Sequence, residues 1–297
     1  MNHSLPSQSR PSIQPDLAAV RDHRREYPNL LFVYPVISRR SRGLSIGINL
    51  NPDKRCNFDC VYCEVDRTRP GLAIQPTPER VEEELERMIE QVQSGQLAKE
   101  PRFQEAPELA QTIRDFAFSG DGEPTLVPNF DAFAQTVAAV RRRHGLEQAK
   151  IVLITNAVSL DKRTVQAGLR ILRENNGEIW AKLDAGTSAY FQTINRSPVR
   201  FERILRNITQ TARWFPLIIQ SLFLRWQGQR MPPEELEAYC ARLNQILQAG
   251  GRIQAVHAYT IARPAPEPEA KPLTARELEE IAAVIRQRTG LPVEIFP

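Results

Sequence analysis

Six stretches with the length and β-branching of buried strands, at 45–50, 114–118, 150–155, 178–184, 216–224 and 252–260, alternate with segments whose apolar residues repeat at helical spacing. Nothing else in the chain constrains its fold as strongly. Strand, helix and strand in succession imply parallel pairing through right-handed crossovers. The helical stretches are well marked. Thr77-Pro78 opens one with Val81, Leu85, Met88 and Val92 on a single face, and Gly95 ends it. Phe130, Phe133, Val137 and Val140 mark a second, and Val165, Leu169 and Leu172 a third. Residues 201–214 and 233–247 follow in the same manner, and Thr274 with Glu277 forms a capping box before Leu278, Ile281 and Ile285. Residues 292–296 read as a last short extended segment. Six units suit an α/β fold of one kind: an open, partial (β/α)6 TIM-like barrel with parallel strands.

At 297 residues, 41% of them hydrophobic, the chain can bury a core of that size. The expected organisation is an N-terminal extension over 1–37, a core over 38–264, and a linker with a C-terminal helix packed on the core over 265–297. The first fifteen residues, rich in Ser, Pro and Gln, read as disordered. The connections 95–111 and 264–272 interrupt the pattern, as mobile covers or as surface loops. No apolar run reaches the roughly 18 residues that span a bilayer, and the start lacks an apolar signal core. A cytoplasmic protein with no membrane partner is expected. The formal charge is +4, with arginine clusters at Arg24-Arg25, Arg39-Arg40-Ser41-Arg42 and Arg141-Arg142-Arg143. The last ends a helix, where cations complement the dipole. The 39–42 cluster reads as a solvated surface, with a phosphate-bearing partner as its alternative.

In βα barrels reactive groups gather at the carboxyl ends of the strands. The first strand leads into Cys56-Asn57-Phe58-Asp59-Cys60-Val61-Tyr62-Cys63, three of the four cysteines in the chain. A four-iron cubane wants a ligand on each iron, so three thiolates leave one iron open. Structural zinc wants four closed ligands, and a thioredoxin-like pair leaves Cys56 unexplained. Cys240 shares an apolar helix face with Leu236, Leu243 and Leu247 and reads as a core residue. The second strand ends in Ser119-Gly120-Asp121-Gly122-Glu123-Pro124-Thr125, where glycines permit close backbone approach and Glu123 brings a carboxylate. The third ends at Thr155-Asn156. On the fourth, Lys182 and Asp184 point to one side and Leu183 to the other. They face a ligand or form an ion pair that braces the barrel. Arg225 and Arg263 are rim candidates for a carboxylate.

The C-x3-C-x2-C spacing with an aromatic before the last Cys resembles the radical S-adenosylmethionine (SAM) superfamily, and G-x-G-E-P-T resembles its Gly-Gly-Glu-type motif. Residues 38–45, 118–125, 180–185 and 258–264 further resemble a subgroup of Fe–S oxidoreductases related to the tRNA wybutosine-synthesis enzyme. That enzyme has added cysteines ahead of its SAM motif, whereas none precedes Cys56 here. The resemblance implies that Cys56, Cys60 and Cys63 hold a [4Fe-4S] cluster whose open iron binds the amino and carboxylate groups of SAM. It implies that Gly120, Gly122 and Glu123 meet the methionine amino end, with Asn156, Lys182 and Asp184 as further SAM contacts. It also implies reductive cleavage of SAM to a 5′-deoxyadenosyl radical that takes hydrogen from a substrate, and an electron donor such as a flavodoxin or ferredoxin. Substrate identity stays open between a tRNA nucleoside and a peptide or small molecule. Two rivals stand beside this reading: a non-catalytic metal-stabilised RNA-binding module, which has no use for Glu123, and a glycyl-radical activase, which needs a dedicated protein partner.

Overall fold

The computed structural model describes Arg25, residues 27–263 and residues 265–297. The disordered tail expected over 1–15, Arg24, and Pro264 at the expected end of the core all lie outside the described residues.

Six strands run parallel in sequence order: β2 (Gly43–Ile48), β3 (Ile113–Phe118), β4 (Lys150–Thr155), β5 (Gly177–Lys182), β6 (Leu217–Leu222) and β8 (Ile253–Tyr259). They form the curled half-barrel that the alternation predicts. Its helices are α1 (Pro78–Gln93), α2 (Phe130–Arg143), α3 (Arg163–Glu174), α4 (Ser188–Asn195), α5 (Phe201–Ala212), α6 (Pro233–Gln248) and α7 (Ala275–Thr289). The strand pleat separates two faces. Ile46, Ile48, Phe116, Phe118, Ile151, Leu153, Ile179 and Ile219 belong to the main core with the helices. Ala117, Val152, Trp180 and Ile218 pack together on the inner face, and the polar Ser45, Asp115, Lys182 and Gln220 share their strand parity.

Two edge strands complete the sheet. β1 (Val33–Ser38) runs antiparallel to β2, and β10 (Val293–Phe296) runs parallel to β8. The sheet thus takes in residues 33–37, which the sequence reading left in the N-terminal extension. Pro35 disguises this strand, since proline disrupts a ladder except at an edge, which is where it sits. The entry to β1 is fixed by Glu84 of α1, whose Oε2 accepts from the backbone N–H groups of Leu31, Phe32 and Val33 at 3.0, 2.7 and 3.1 Å. The stretch 216–224, read as one strand, is divided: β7 (Leu224–Trp226) leaves the barrel and pairs antiparallel with β9 (Ala270–Pro272). The 264–272 connection therefore carries a strand. The 95–111 connection winds through three short 3-10 turns that bury Leu97, Phe103 and Ala110, so it is a packed connector. Cys240 lies buried in the core on α6. Among the described residues no helix is long and apolar enough to cross a membrane.

Candidate active site

The loop after β2 carries Cys56, Cys60 and Cys63 as half-buried free thiols at the carboxyl end of the sheet. It has almost no regular structure and is gripped from outside. The backbone N–H groups of Asp59 and Val61 donate to the carbonyls of Asn195 and Ile194 at 3.0 and 2.9 Å. Ser197 Oγ donates to the Asn57 carbonyl at 2.9 Å. The clamp is the end of α4, where Arg196 adopts a left-handed conformation (φ 46°) that turns the chain back.

Each sulfur receives an N–H donor. Phe58 N donates to Cys56 Sγ at 3.4 Å, Asn195 Nδ2 to Cys60 Sγ at 3.4 Å, and Arg67 Nη1 to Cys63 Sγ at 2.9 Å. As bare thiols, Cys56 and Cys60 are pushed up by burial, to about 11 and about 12. Donors aimed at sulfur favour the anionic, ligating form. Among the described residues no three His, Cys, Asp or Glu side chains gather as a single metal ion requires. Three thiols on one loop match a cubane with one open iron, whereas structural zinc wants four closed ligands.

Beside this loop, Glu123 is 3% exposed. Its Oε1 accepts from Thr125 N at 3.1 Å, Thr125 Oγ1 at 2.5 Å and Thr155 Oγ1 at 2.6 Å, and its Oε2 accepts from Asn156 N at 2.7 Å. Burial raises its pKa, against the pull of those donors. The same Asn156 donates through Nδ2 to Asn57 Oδ1 at 2.6 Å and approaches Cys56 Sγ at 3.8 Å. The two glycines serve the protein's own packing. A Cβ on Gly122 would sit 1.9 Å from the Arg55 carbonyl oxygen, and one on Gly120 would sit 2.3 Å from Asn49 Oδ1. Their absence lets the β3 loop lie against the cysteine loop, sealed by Glu123 N donating to Arg55 O at 3.1 Å.

Lys182 and Asp184 part company. Lys182 lines the cavity, donates to the Tyr259 hydroxyl, and sits 4.9 Å from the Tyr62 ring centroid. Asp184 is not among the lining residues. Its Oδ2 accepts from Tyr62 and from Asn195 Nδ2 (2.9 Å), its Oδ1 from Leu222 N (2.9 Å), and Lys182 stands 3.6 Å away. Both Asp184 oxygens meet protein donors. Arg225 does not line the cavity either; it pairs with Glu277 at the start of α7. Arg263 lines the cavity, paired with Glu64. Arg40, read with its neighbours as solvated, turns inward to line the cavity, stacked over Trp180 and Tyr259. Sequence reasoning missed Asn195 and Arg67. Thr187, as the N-cap before Tyr190, Phe191 and Ile194, was the readable signal for the helix that delivers Asn195. No spacing signals Arg67.

The cavity bounded by these groups has a volume of about 290 Å³ and reaches from the cysteine loop past Glu123 and Lys182 to Arg40.

The chain is similar to proteins of several kinds. A UPF0026 protein of Helicobacter pylori is 29% identical over 149 residues, covering 49% of this chain and 41% of that protein. A UPF0026 protein of Methanocaldococcus jannaschii is 41% identical over 96 residues, covering 31% and 24%. The matched stretch spans less than half the length of either relative. Among solved structures, a radical SAM methyltransferase from Sphaerobacter thermophilus superposes with a TM-score of 0.58 at 15% identity, over 89% of this chain and 68% of that one. TYW1 with a lysine–pyruvate adduct bound gives 0.56 at 16% identity, over 82% and 74%. SuiB of Streptococcus suis bound to S-adenosylmethionine gives 0.56 at 14% identity, over 84% and 50%. At such identities the likeness is one of fold. The family itself is fixed by sequence: residues 50–213, more than half of the chain, match the Radical SAM superfamily, and the chain belongs to that superfamily, whose enzymes work with a [4Fe-4S] cluster and SAM.

Proposed function

We propose that Cys56, Cys60 and Cys63 hold the [4Fe-4S] cluster, and that Glu123, beside them, receives the SAM ammonium. The observation that carries this reading is the set of N–H donors on all three sulfurs, next to a buried carboxylate facing the same cavity. Such a cluster would supply one electron to SAM bound beside it, breaking the C5′–S bond to release methionine and leave a 5′-deoxyadenosyl radical able to take hydrogen from a substrate. The chain's own residues position and enclose. Asn156 links the two ligand sites, because its backbone N–H orients Glu123 while its side chain reaches Cys56 and Asn57. Lys182 supplies a cation beside them for the ribose or carboxylate of SAM. Gly120 and Gly122 set the distance between the Glu123 loop and the cysteine loop.

The catalytic unit in this reading is the core over 38–264 together with its edge strands, and the electron comes from a flavodoxin- or ferredoxin-type donor. Within the superfamily, the motifs around 38–45 and 258–264 favour the Fe–S oxidoreductase subgroup related to the wybutosine enzyme. Anaerobic reconstitution tests the assignment. The protein should take up about four iron and four sulfide per chain. Cys56→Ala, Cys60→Ala or Cys63→Ala should each abolish that uptake, and Cys240→Ala should leave it unchanged. Stoichiometric zinc without sulfide would overturn the reading.

A further inference from the structure

Five cations line the cavity: Arg25, Arg40, Arg67, Lys182 and Arg263. Four have a partner that answers their charge. Arg25 pairs with Asp121, Lys182 with Asp184 and Arg263 with Glu64, and Arg67 donates to the Cys63 sulfur. Arg40 differs. Among the described residues no carboxylate stands within ion-pair reach of it. Its guanidinium lies 5.6 Å from the Trp180 ring centroid and 5.0 Å from that of Tyr259. The nearest acidic groups are engaged elsewhere: Glu64 with Arg263, and Asp115 with the Ser45 hydroxyl.

A guanidinium keeps its charge at any ordinary pH. Burying one without a counter-ion is costly, and stacking on aromatic rings offsets only part of that cost. Aromatic rings answer part of the charge but take no N–H donor in its own plane, so the fork that matches a carboxylate or phosphate remains for a ligand in the cavity. A bracing role falls to its neighbours instead. Arg39 donates to the Pro297 carbonyl, and Arg42 pairs with Glu294 at 3.4 Å, so both tie the β1–β2 hairpin to β10 across the open side of the half-barrel. Arg40, between them, is the one that turns inward.

We propose that Arg40 anchors a substrate subsite inside the half-barrel, which takes a small oxyanion-bearing molecule by its carboxylate or phosphate group. The inference rests on the reading of the other end of this cavity as the cluster and SAM site. A continuous wall joins the two ends: Arg40 contacts Tyr259, Tyr259 contacts Lys182, and Lys182 lies over Tyr62 of the cysteine loop. An acid held at Arg40 therefore faces the space next to that loop. A cavity of about 290 Å³ is at the small end for ligand sites.

The test uses the full chain, reconstituted with cluster and with SAM present. Acetate, succinate, inorganic phosphate and glycerol phosphate are titrated separately, followed by calorimetry and by the fluorescence of Trp180, which contacts Arg40. Saturable binding of the carboxylates or of the phosphates is expected, and which series binds assigns the anion. Arg40→Gln should weaken that binding by about ten- to a hundredfold, the loss of a charge-assisted hydrogen bond. Arg40→Lys should restore it only in part, because an ammonium lacks the fork. The inference fails if no acid saturates the wild-type protein, or if Arg40→Gln binds the acid as tightly as wild type. It fails equally if SAM affinity drops by the same factor, which would assign Arg40 to the SAM carboxylate. A wild-type protein that takes up neither cluster nor SAM would instead sink the underlying reading.

Discussion

Glu123→Gln tests the SAM site and the packing around it at once, and the two effects separate. The carboxylate is held by four protein donors, two of them backbone N–H groups that cannot rotate away, Thr125 N on Oε1 and Asn156 N on Oε2. An amide in its place must turn its NH2 toward one of them, so one backbone N–H loses its acceptor. Leaving such a donor unsatisfied costs about 1–3 kcal/mol. The lost charge acts on the ligand. A charge-assisted hydrogen bond is worth about 1.5–3 kcal/mol, so SAM affinity should fall by about ten- to more than a hundredfold. Iron uptake should stay normal, because no thiol is touched. Burial raises the Glu123 pKa, so the charged form is lost on acidification sooner than in an exposed glutamate. Wild-type SAM affinity should therefore weaken as pH falls through that raised value, and the Gln variant should lack this limb. SAM binding and dithionite-driven 5′-deoxyadenosine release are measured on protein matched for iron, alongside denaturant unfolding. Lower stability with unchanged SAM affinity and release would refute the ligand role and leave Glu123 as a structural group.

Three further outcomes follow from the geometry. Gly122→Ala drives a Cβ onto the Arg55 carbonyl and within 2.6 Å of Asn51 Cβ, so the β3 loop and cysteine loop must separate; we expect a loss of about 1–3 kcal/mol and impaired iron incorporation, read by denaturation and iron assay. Asp184→Ala leaves the buried Lys182 without its counter-charge and strips an acceptor from Tyr62 and Asn195, a cost of about 3–5 kcal/mol in unfolding free energy, and Asp184→Asn should cost less. Burial lifts Asp115 from the ordinary 3.8 to about 6, so the folded state binds its proton more tightly than the unfolded state, and a penalty absent below about pH 4 is complete above about pH 6. Asp115→Asn should then be the more stable protein at pH 7, by up to about 3 kcal/mol, with the advantage vanishing near pH 4; equal stability at both pH values would contradict the burial argument.

The sheet was legible because its signal is local. Strands such as 150–155 and helices such as 163–174 carry their own periodicity, and alternation dictates parallel crossovers whatever the loops do. What escaped depended on partners far along the chain. β1 is interrupted by Pro35, harmless only because the strand is an edge, a fact about the sheet and not about residues 33–38. β9 is three residues long and exists only because β7 lies opposite. In the site, the cysteines and Glu123 were visible as motifs, whereas Asn195 and Arg67 reach the sulfurs from contacts that only the folded chain brings together. Gly120 and Gly122 were found for an incomplete reason. Close approach to a ligand was the expectation, and the structure adds clearance for the Arg55 backbone at Gly122 and for the Asn49 side chain at Gly120.

A loop with three half-buried thiols and little secondary structure would not hold its sulfurs in place unaided. Here it is fixed on three sides by groups that also define the rest of the cavity. The end of α4 pins its backbone, and Asn195 joins Cys60 to Asp184. Asp184 in turn holds Tyr62, the residue beside the last cysteine, and lies within ion-pair distance of Lys182 on the cavity wall. On the other flank, Asn156 connects Cys56 with Glu123, and the glycine loop locks to Arg55. Displacing the cysteine loop would therefore disturb Glu123, Lys182 and Tyr62 together. The placement of the three thiols and the shape of the cavity are one cooperative unit, which rigid strands supply and the loop alone could not.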